Sequence, residues 1–156
     1  MKPQLYLLDE VYTSCAYAYA DQHVQEHPPI LLEVLRAVNA EAHPLKKHIL
    51  VRLATGPTEY SWLYRFTQRL LLECEHRFHV DKSELMDALR LLPLPTASPN
   101  HKPKRWLQLL PKAEAGQAVK AYRQYYQDTY SGASWTKRGP PEWWVAATQQ
   151  ALPFND

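Results

Sequence analysis

The sequence predicts an all-α protein, a compact single-domain helical bundle with proline-rich connectors. Two long segments repeat apolar residues at intervals of three and four, which places those residues on one face of a helix. The 156 residues include 13 prolines and only 4 glycines. Prolines suit helix starts and stiff connectors, whereas a sheet protein needs many glycine-rich turns. A chain of this length can bury a core without disulfides or metals, so we expect residues 1–156 to form one domain.

The first predicted helix covers residues 29–40. Leu31 and Leu35 recur on one face, and Glu33 lies on the opposite face. Pro28 and Pro29 suit a helix start, because the first turn does not use its backbone N–H groups in intrahelical bonds. We therefore expect the helix to begin at this pair of prolines.

The strongest helical pattern covers residues 58–78 and is apolar enough to be central to the core. A shorter helix is predicted over residues 84–92, with Ser83 as its N-cap and Pro93 after its end. A proline-rich connector separates it from a further helix over residues 114–129. A short apolar piece, residues 49–53, lies between the first two helices.

The bulk numbers describe an ordinary globular protein. The chain is 46% hydrophobic and 22% charged, and its formal net charge is +2. Cys15 and Cys74 are far apart in the sequence, which indicates reduced thiols in a cytoplasmic protein more than a disulfide framework. Asp9 and Glu10 interrupt the apolar start too early for a signal peptide, and no apolar run is long enough to cross a membrane. We expect a soluble cytoplasmic monomer.

Basic residues beside aromatic ones predict a DNA-binding surface. Such residues can neutralise phosphates without reading sequence, and tryptophan rings can stack on an extruded base. The predicted DNA-binding residues are Arg36, Lys46, Lys47, Lys104, Arg105, Arg123, Lys137, Arg138, Trp143 and Trp144. An alternative interpretation assigns many of these aromatics to the core and many of the charges to the solvated surface.

Histidine spacing raises the alternative of a metal site. His23 and His27 are four residues apart, and His76 and His79 are three apart. No His-Glu-x-x-His motif is present, and the sequence does not name a third ligand. We therefore predict neither a metal nor another cofactor. A metal-dependent nuclease or hydrolase remains a rival that sensitivity to a chelator would support.

Several short motifs occur in the same order as in one known family. They are Ala20-Asp21-Gln22-His23, Glu33-Val34-Leu35-Arg36, Glu73-Cys74-x-x-Arg77-Phe78, Ala121-Tyr122-Arg123-x-Tyr125-Tyr126, Trp135-x-x-Arg138 and Pro141-Glu142-Trp143-Trp144. With them the chain resembles the pyrimidine-dimer DNA glycosylase (endonuclease V) family of T-even phages and related short phage and bacterial proteins. Each motif is weak alone, and their shared order carries the resemblance over most of the chain.

The resemblance implies a compact helical domain that cleaves the N-glycosidic bond of a damaged or modified pyrimidine in duplex DNA. It implies a role in repair or in a conflict between phage and host over modified DNA. Glu33 corresponds to the family's catalytic glutamate, and Asp21 and His23 could orient a water molecule or grip the DNA backbone. Other interpretations make Asp21 a cap or turn residue, and Glu33 and Arg36 a solvated ion pair.

The family enzyme attacks the sugar with its N-terminal amine. Here the sequence begins upstream of that enzyme's start, and Lys2 disfavours removal of Met1. We therefore expect a carboxylate to activate water, which gives base excision without strand cleavage. Lys46 or Lys47 could instead form a Schiff base with the opened sugar.

Two rivals do not require base excision. One is a non-catalytic DNA-binding module on the same scaffold, in which Glu33→Gln would change nothing. The other is an interaction protein that binds a protein partner through its Trp-rich tail and has no DNA affinity.

Overall fold

The computed structural model describes residues 4–99 and 117–144. These ranges contain no strand, and they form six helices: α1 (Tyr12–Ala18), α2 (Asp21–Asn39), α3 (Ile49–Ala54), α4 (Pro57–Phe78), α5 (Ser83–Arg90) and α6 (Ala118–Thr129). The all-α class predicted from the sequence is confirmed.

The long helix α4 is the centre of the fold, as its apolar pattern predicts. It packs against α1, α2, α3 and α5. Trp62, Phe66 and Leu70 are among its buried side chains. Pro57 occupies the first turn, where its missing N–H costs nothing. The helix ends at Phe78, and its C-cap His79 adopts a left-handed backbone conformation and donates its N–H to the Glu75 carbonyl.

Helix α2 begins eight residues before the predicted start, so the boundary at the two prolines is wrong. Pro28 and Pro29 lie inside the helix and cannot donate to the carbonyls one turn earlier. An interior proline costs about 3 kcal/mol, whereas burying one large aliphatic side chain contributes about 1.5 to 3 kcal/mol. The helix buries Val24, Leu31 and Leu35 completely, so packing outweighs the local penalty.

The ends of the shorter helices also differ in detail from the prediction. Ser83 is the first residue of α5, and the Asp81 carboxylate accepts its backbone N–H at 2.8 Å. The N-cap is therefore Lys82 and not Ser83 as predicted, and α5 ends at Arg90, two residues before the predicted end. The predicted apolar piece at 49–53 is helix α3. Helix α6 ends at Thr129 as predicted, and residues 114–116 lie outside the described ranges.

Segments that come before and after helices α1 to α5 in the sequence complete the hydrophobic core. Residues 5–8 are buried ahead of α1, a short helix that the apolar periodicity does not predict. Tyr122 and Tyr126 bring α6 into the same core, and Trp135 and Trp144 extend it along the segment that follows α6. The segment 130–144 is therefore held near residues 5–8.

Candidate functional site

Four of the predicted DNA-binding residues line one cleft. The cleft has a volume of about 1000 Å³ and lies between α1, α6 and the segment after α6. Arg123, Lys137, Arg138 and Trp143 line it together with Tyr17. We call it the basic cleft. It combines cationic groups with aromatic rings, a combination that suits nucleic acid.

Arg123 is held in place on one wall of the basic cleft. Its Nε donates to the Leu8 carbonyl at 2.8 Å, and its Nη2 lies 3.3 Å from Asp9 Oδ2. The guanidinium also lies 5.2 Å from the centre of the Trp143 ring. These contacts order the side chain before any ligand binds, and Asp9 partly neutralises its charge.

Arg138 forms the opposite wall with Tyr17. Its guanidinium lies 4.0 Å from the Tyr17 ring centre and donates to both carboxylate oxygens of Glu73, at 2.6 and 2.8 Å. Burial opposes ionisation of Glu73, but hydrogen bonds from Arg138 and Arg77 outweigh it and lower the Glu73 pKa. The same bonds raise the Arg138 pKa. The pair is therefore a fixed ionic anchor.

Lys137 is the exposed cation of the basic cleft. Its backbone has a positive φ of 61°, and its ammonium donates to the imidazole of His79 at the end of α4. In the described ranges no carboxylate pairs with Lys137. Its charge is therefore more accessible to a phosphate than the charges of Arg123 and Arg138.

Glu33 lies elsewhere, on the outward face of α2. Arg36 Nη1 donates to its Oε1 at 2.5 Å, and His43 Nε2 lies 3.2 Å from its Oε2. His43 Nδ1 accepts the Leu45 N–H, so the ring proton belongs on Nε2, where it donates to Glu33. The hydrogen bond from Arg36 leads the effects that lower the Glu33 pKa. Glu33 is therefore ionised at neutral pH, with both carboxylate oxygens oriented.

An apolar hollow adjoins this carboxylate. It has a volume of about 250 Å³, and Glu33 and Arg36 lie in its wall. The rest of its lining is Pro29, Ile30, Leu32, Leu45 and Leu85. Pockets for drug-sized ligands measure roughly 300 to 1,000 Å³, so the hollow suits a smaller group such as a single base. We call Glu33, Arg36, His43 and the hollow the Glu33 site.

Asp21 is a structural anchor at the start of α2. Its carboxylate accepts the backbone N–H and the hydroxyl of Thr136, at 2.8 and 2.7 Å, and the hydroxyl of Ser134 at 2.9 Å. Arg77 Nη1 lies 3.1 Å away. Burial opposes ionisation, but these donors together lower the Asp21 pKa. Asp21 therefore ties the segment that carries Lys137 to the helices.

His23 is buried, with 3% of its surface exposed. Its Nδ1 lies 2.6 Å from the Tyr126 hydroxyl, and its Nε2 lies 3.0 Å from the Gln22 amide. Burial lowers the His23 pKa to about 4, so the ring is neutral at pH 7. Its contacts are those of a core histidine.

The three predicted catalytic residues do not form one constellation. Asp21 and Glu33 are twelve positions apart on α2, which separates them by about 18 Å along the axis. Asp21 and His23 lie at the end of α2 near the basic cleft, and Glu33 lies at the far end. Asp21 and His23 cannot touch a water molecule that Glu33 activates.

The remaining predicted DNA-binding residues have different surroundings. The Lys46 ammonium donates to the carbonyls of Ala37 and Ala40 and so closes the C-terminal end of α2, whereas Lys47 is exposed. Trp144 is packed in the core against Trp135, so its ring could stack on a base only by leaving the core. Lys104 and Arg105 lie outside the described ranges.

Sequence reasoning missed two residues that complete these sites. His43 lies three residues before Lys46 in the sequence, but its contact with Glu33 depends on how the chain turns after α2. Arg69 donates to the Tyr17 hydroxyl at 2.9 Å, and its guanidinium lies 5.9 Å from the Tyr17 ring centre. No local pattern indicates that Arg69 and Arg138 contact the same ring.

Comparisons with protein-family models, with curated proteins and with solved structures give no match. In residues 4–99 and 117–144, no group of three or more His, Cys, Asp or Glu side chains is arranged to hold a metal ion. No helix in these two ranges has the length and apolar character needed to cross a membrane.

Proposed function

We propose that the protein is a DNA glycosylase that excises a damaged or modified pyrimidine from duplex DNA. The observation that carries the proposal is the Glu33 site, an ionised and oriented carboxylate beside an apolar hollow of the size of a base. The motif resemblance adds support, because it independently assigns the catalytic carboxylate to Glu33.

The reaction needs a negative charge where the sugar becomes positive. When the bond from C1′ to the base breaks, its electron pair leaves on the base and positive charge develops on the sugar. The Glu33 carboxylate stabilises that charge and takes a proton from a water molecule whose oxygen forms the new bond to C1′. The departing base takes up a proton from solvent, and Glu33 returns its own proton to solvent. The products are a free base and an abasic sugar, and the reaction needs no metal.

The neighbours of Glu33 have positioning roles in this proposal. His43 holds Oε2, and Oε1, which Arg36 contacts, is the oxygen that faces the sugar in this proposal. The Arg36 side chain is 45% exposed and can exchange part of its contact with Glu33 for a flanking phosphate. The hollow then receives the extruded base against its apolar walls.

The basic cleft supplies the second contact with DNA. Phosphates of one strand are spaced about 3.4 Å apart along the duplex axis, so the roughly 18 Å between Asp21 and Glu33 along α2 corresponds to about five nucleotides. A duplex that extends from the basic cleft to the Glu33 site would contact both. In this arrangement the cleft contributes affinity and register, and Glu33 contributes chemistry.

A non-catalytic DNA-binding module is the second candidate, and one observation favours it. The Glu33–Arg36 contact is an i,i+3 pair with both side chains more than 40% exposed, which is also the geometry of an ordinary surface ion pair. A scaffold without chemistry would still use the basic cleft to hold DNA.

The test is an incubation of the intact protein with duplexes that carry a panel of pyrimidine lesions and modified bases, including hydroxymethylated and glucosylated cytosine. Denaturing gels with and without alkali separate the outcomes. Breaks that need alkali support water-mediated excision, whereas breaks without alkali indicate an amine nucleophile, which borohydride trapping would then locate. DNA binding without any break on the panel would favour the non-catalytic module. A chelator should leave excision unchanged.

A further inference from the structure

A third concave region lies apart from both sites described above. It has a volume of about 590 Å³ between α4, α5 and the segment that follows α5. It shares no lining residue with the basic cleft or the Glu33 site, and its lining is Tyr64, Arg65, Gln68, Arg90, Leu94 and Pro95. We call it the α4–α5 cavity. None of these lining residues is acidic.

Tyr64 supplies an unused hydrogen-bonding group to this cavity. The residue is only 4% exposed, and within the described part of the chain its hydroxyl has no hydrogen-bond partner. Its neighbour Tyr60 contrasts with it, because the Tyr60 hydroxyl donates to the Pro93 carbonyl at 2.6 Å. Buried hydroxyls are normally satisfied, so an orphan hydroxyl in a cavity wall indicates a missing acceptor.

Two guanidinium groups lie beside that hydroxyl with donors to spare. Arg65 uses its Nε to reach the Ser61 hydroxyl at 3.2 Å, and its terminal nitrogens have no partner in the described ranges. Among the described residues, the Arg90 guanidinium forms an ion pair with Asp87 alone, at 3.5 Å, and both side chains of that pair are more than 60% exposed. An exposed pair this long is weak and would yield to a stronger anion.

The charges of both arginines act on the Tyr64 hydroxyl. Burial raises the Tyr64 pKa, and the positive charges of Arg90 and Arg65 oppose that rise. The two guanidinium groups and the phenol therefore converge on one region. The Gln68 amide adds a further donor in the same wall.

We infer that the α4–α5 cavity binds a phosphate group. Guanidinium groups match the oxygens of phosphate in pairs, and a tyrosine O–H can donate to a third oxygen. The phosphate could belong to a nucleic-acid backbone or to free phosphate, and the chemistry of recognition is the same. This inference does not depend on base excision, since none of its residues belongs to the Glu33 site.

The experiment measures phosphate binding and DNA binding in the full chain, without any lesion. Thermal unfolding is followed in phosphate and in chloride at equal ionic strength, which equalises charge screening, and the comparison between variants removes the general stabilisation that phosphate gives to folded proteins. Affinity for an undamaged duplex is measured at several salt concentrations. The variants are Arg65→Gln/Arg90→Gln and Tyr64→Phe, and the matched control is Arg52→Gln, an exposed arginine on α3.

We expect phosphate to raise the melting temperature of the wild type and of Arg52→Gln more than that of the double variant. Tyr64→Phe should weaken phosphate binding about five- to tenfold, because it removes one donor and keeps the ring. If the ligand is the DNA backbone, the double variant also lowers the slope of log K against log salt by about two. If the ligand is free phosphate, DNA binding is unchanged. Equal responses of the wild type and the double variant to both ligands would overturn the inference.

Discussion

Arg138 donates two hydrogen bonds to Glu73, from Nε at 2.6 Å and from Nη2 at 2.8 Å. Glu73 is 2% exposed and also accepts Arg77 Nε at 2.8 Å, so one buried carboxylate holds two guanidinium groups. Arg138 lines the basic cleft, whereas Arg77 is completely buried beside α1. The position of Arg138 in the cleft wall therefore depends on Glu73, a buried residue that does not line the cleft.

Replacing Glu73 by glutamine should be strongly destabilising. The change leaves Arg77 buried without its main counter-charge, a situation that typically costs about 3 to 5 kcal/mol. Urea unfolding at pH 7 measures the loss. Asp87→Asn is the matched control, because the Arg90–Asp87 pair is exposed and should contribute less than about 1 kcal/mol. Equal small losses in both variants would show that Glu73 does not anchor the fold.

Asp21→Asn should weaken DNA binding without slowing the chemical step. The variant loses charge-assisted bonds to Thr136 and Ser134, which hold the segment with Lys137 and Arg138 in place. We expect the Kd for duplex DNA to rise about tenfold, while single-turnover excision at saturating enzyme changes less than about twofold.

Thr136→Val removes the hydroxyl bond to Asp21 and leaves the backbone N–H bonds in place, so it should weaken DNA binding in the same direction but by less. A large fall in the single-turnover rate of Asp21→Asn, with unchanged Kd, would instead make Asp21 a catalytic residue.

Stability should fall as the pH drops from 7 to 5, because of His23 and His27. Burial lowers their pKa values from 6.5 to about 4 and about 3. Between pH 6.5 and those values, the unfolded state binds protons that the native state does not, so acid favours unfolding. Each histidine should contribute roughly 2 kcal/mol of loss over this interval. Asp21 and Glu73 have lowered pKa values, so their contributions are lost only at still lower pH.

Urea unfolding of the wild type and of His27→Gln at pH 7 and pH 5 tests this assignment. Between pH 7 and pH 5, His27→Gln should lose about half as much free energy of unfolding as the wild type loses. His76→Gln serves as the control, because His76 is exposed on the same protein. A wild-type stability that does not change between pH 7 and 5 would contradict the assignment.

Lys46 should have a structural role, whereas the neighbouring Lys47 should be free to contact DNA. Lys46 donates to carbonyls at the end of α2, and Lys46→Met should cost about 1 to 2 kcal/mol of stability. Lys47→Met should leave stability unchanged, and the salt slope of DNA binding should fall by about one if Lys47 contacts a phosphate. Stability measurements and salt titrations of both variants check this contrast. The assignment fails if the two variants are equally stable.

Sequence patterns correctly predicted the helices and contacts that depend on residues close together in the chain. Helix α4 could be predicted because its apolar period extends over 22 residues, and the Glu33–Arg36 contact follows from i,i+3 spacing. The early start of α2 could not, because burial of Val24 and Leu31 outweighs two helix-breaking prolines. That outcome depends on tertiary packing, which no window of sequence contains.

The sites depend even more on distant contacts. Asp21 and Thr136 are 115 positions apart, and Arg138 and Glu73 are 65 apart. Their roles as anchors follow from the folded chain and not from their spacing. His43 is nearer to Glu33, but its contact requires the turn after α2. Residue type alone could propose Asp21 and Glu33 as candidate catalytic carboxylates. It could not show that Asp21 is an anchor of the fold, whereas Glu33 lies beside a hollow.

The most direct measurement is single-turnover excision by Glu33→Gln on the substrate that the duplex panel identifies. Glu26→Gln is the matched control, because Glu26 is an exposed carboxylate about two turns earlier on the same helix. The account predicts that Glu33→Gln lowers the rate of alkali-dependent breaks by about 100-fold or more. Glu26→Gln should excise at the wild-type rate, and both variants should bind DNA with the wild-type affinity. Excision by Glu33→Gln at the wild-type rate would contradict it.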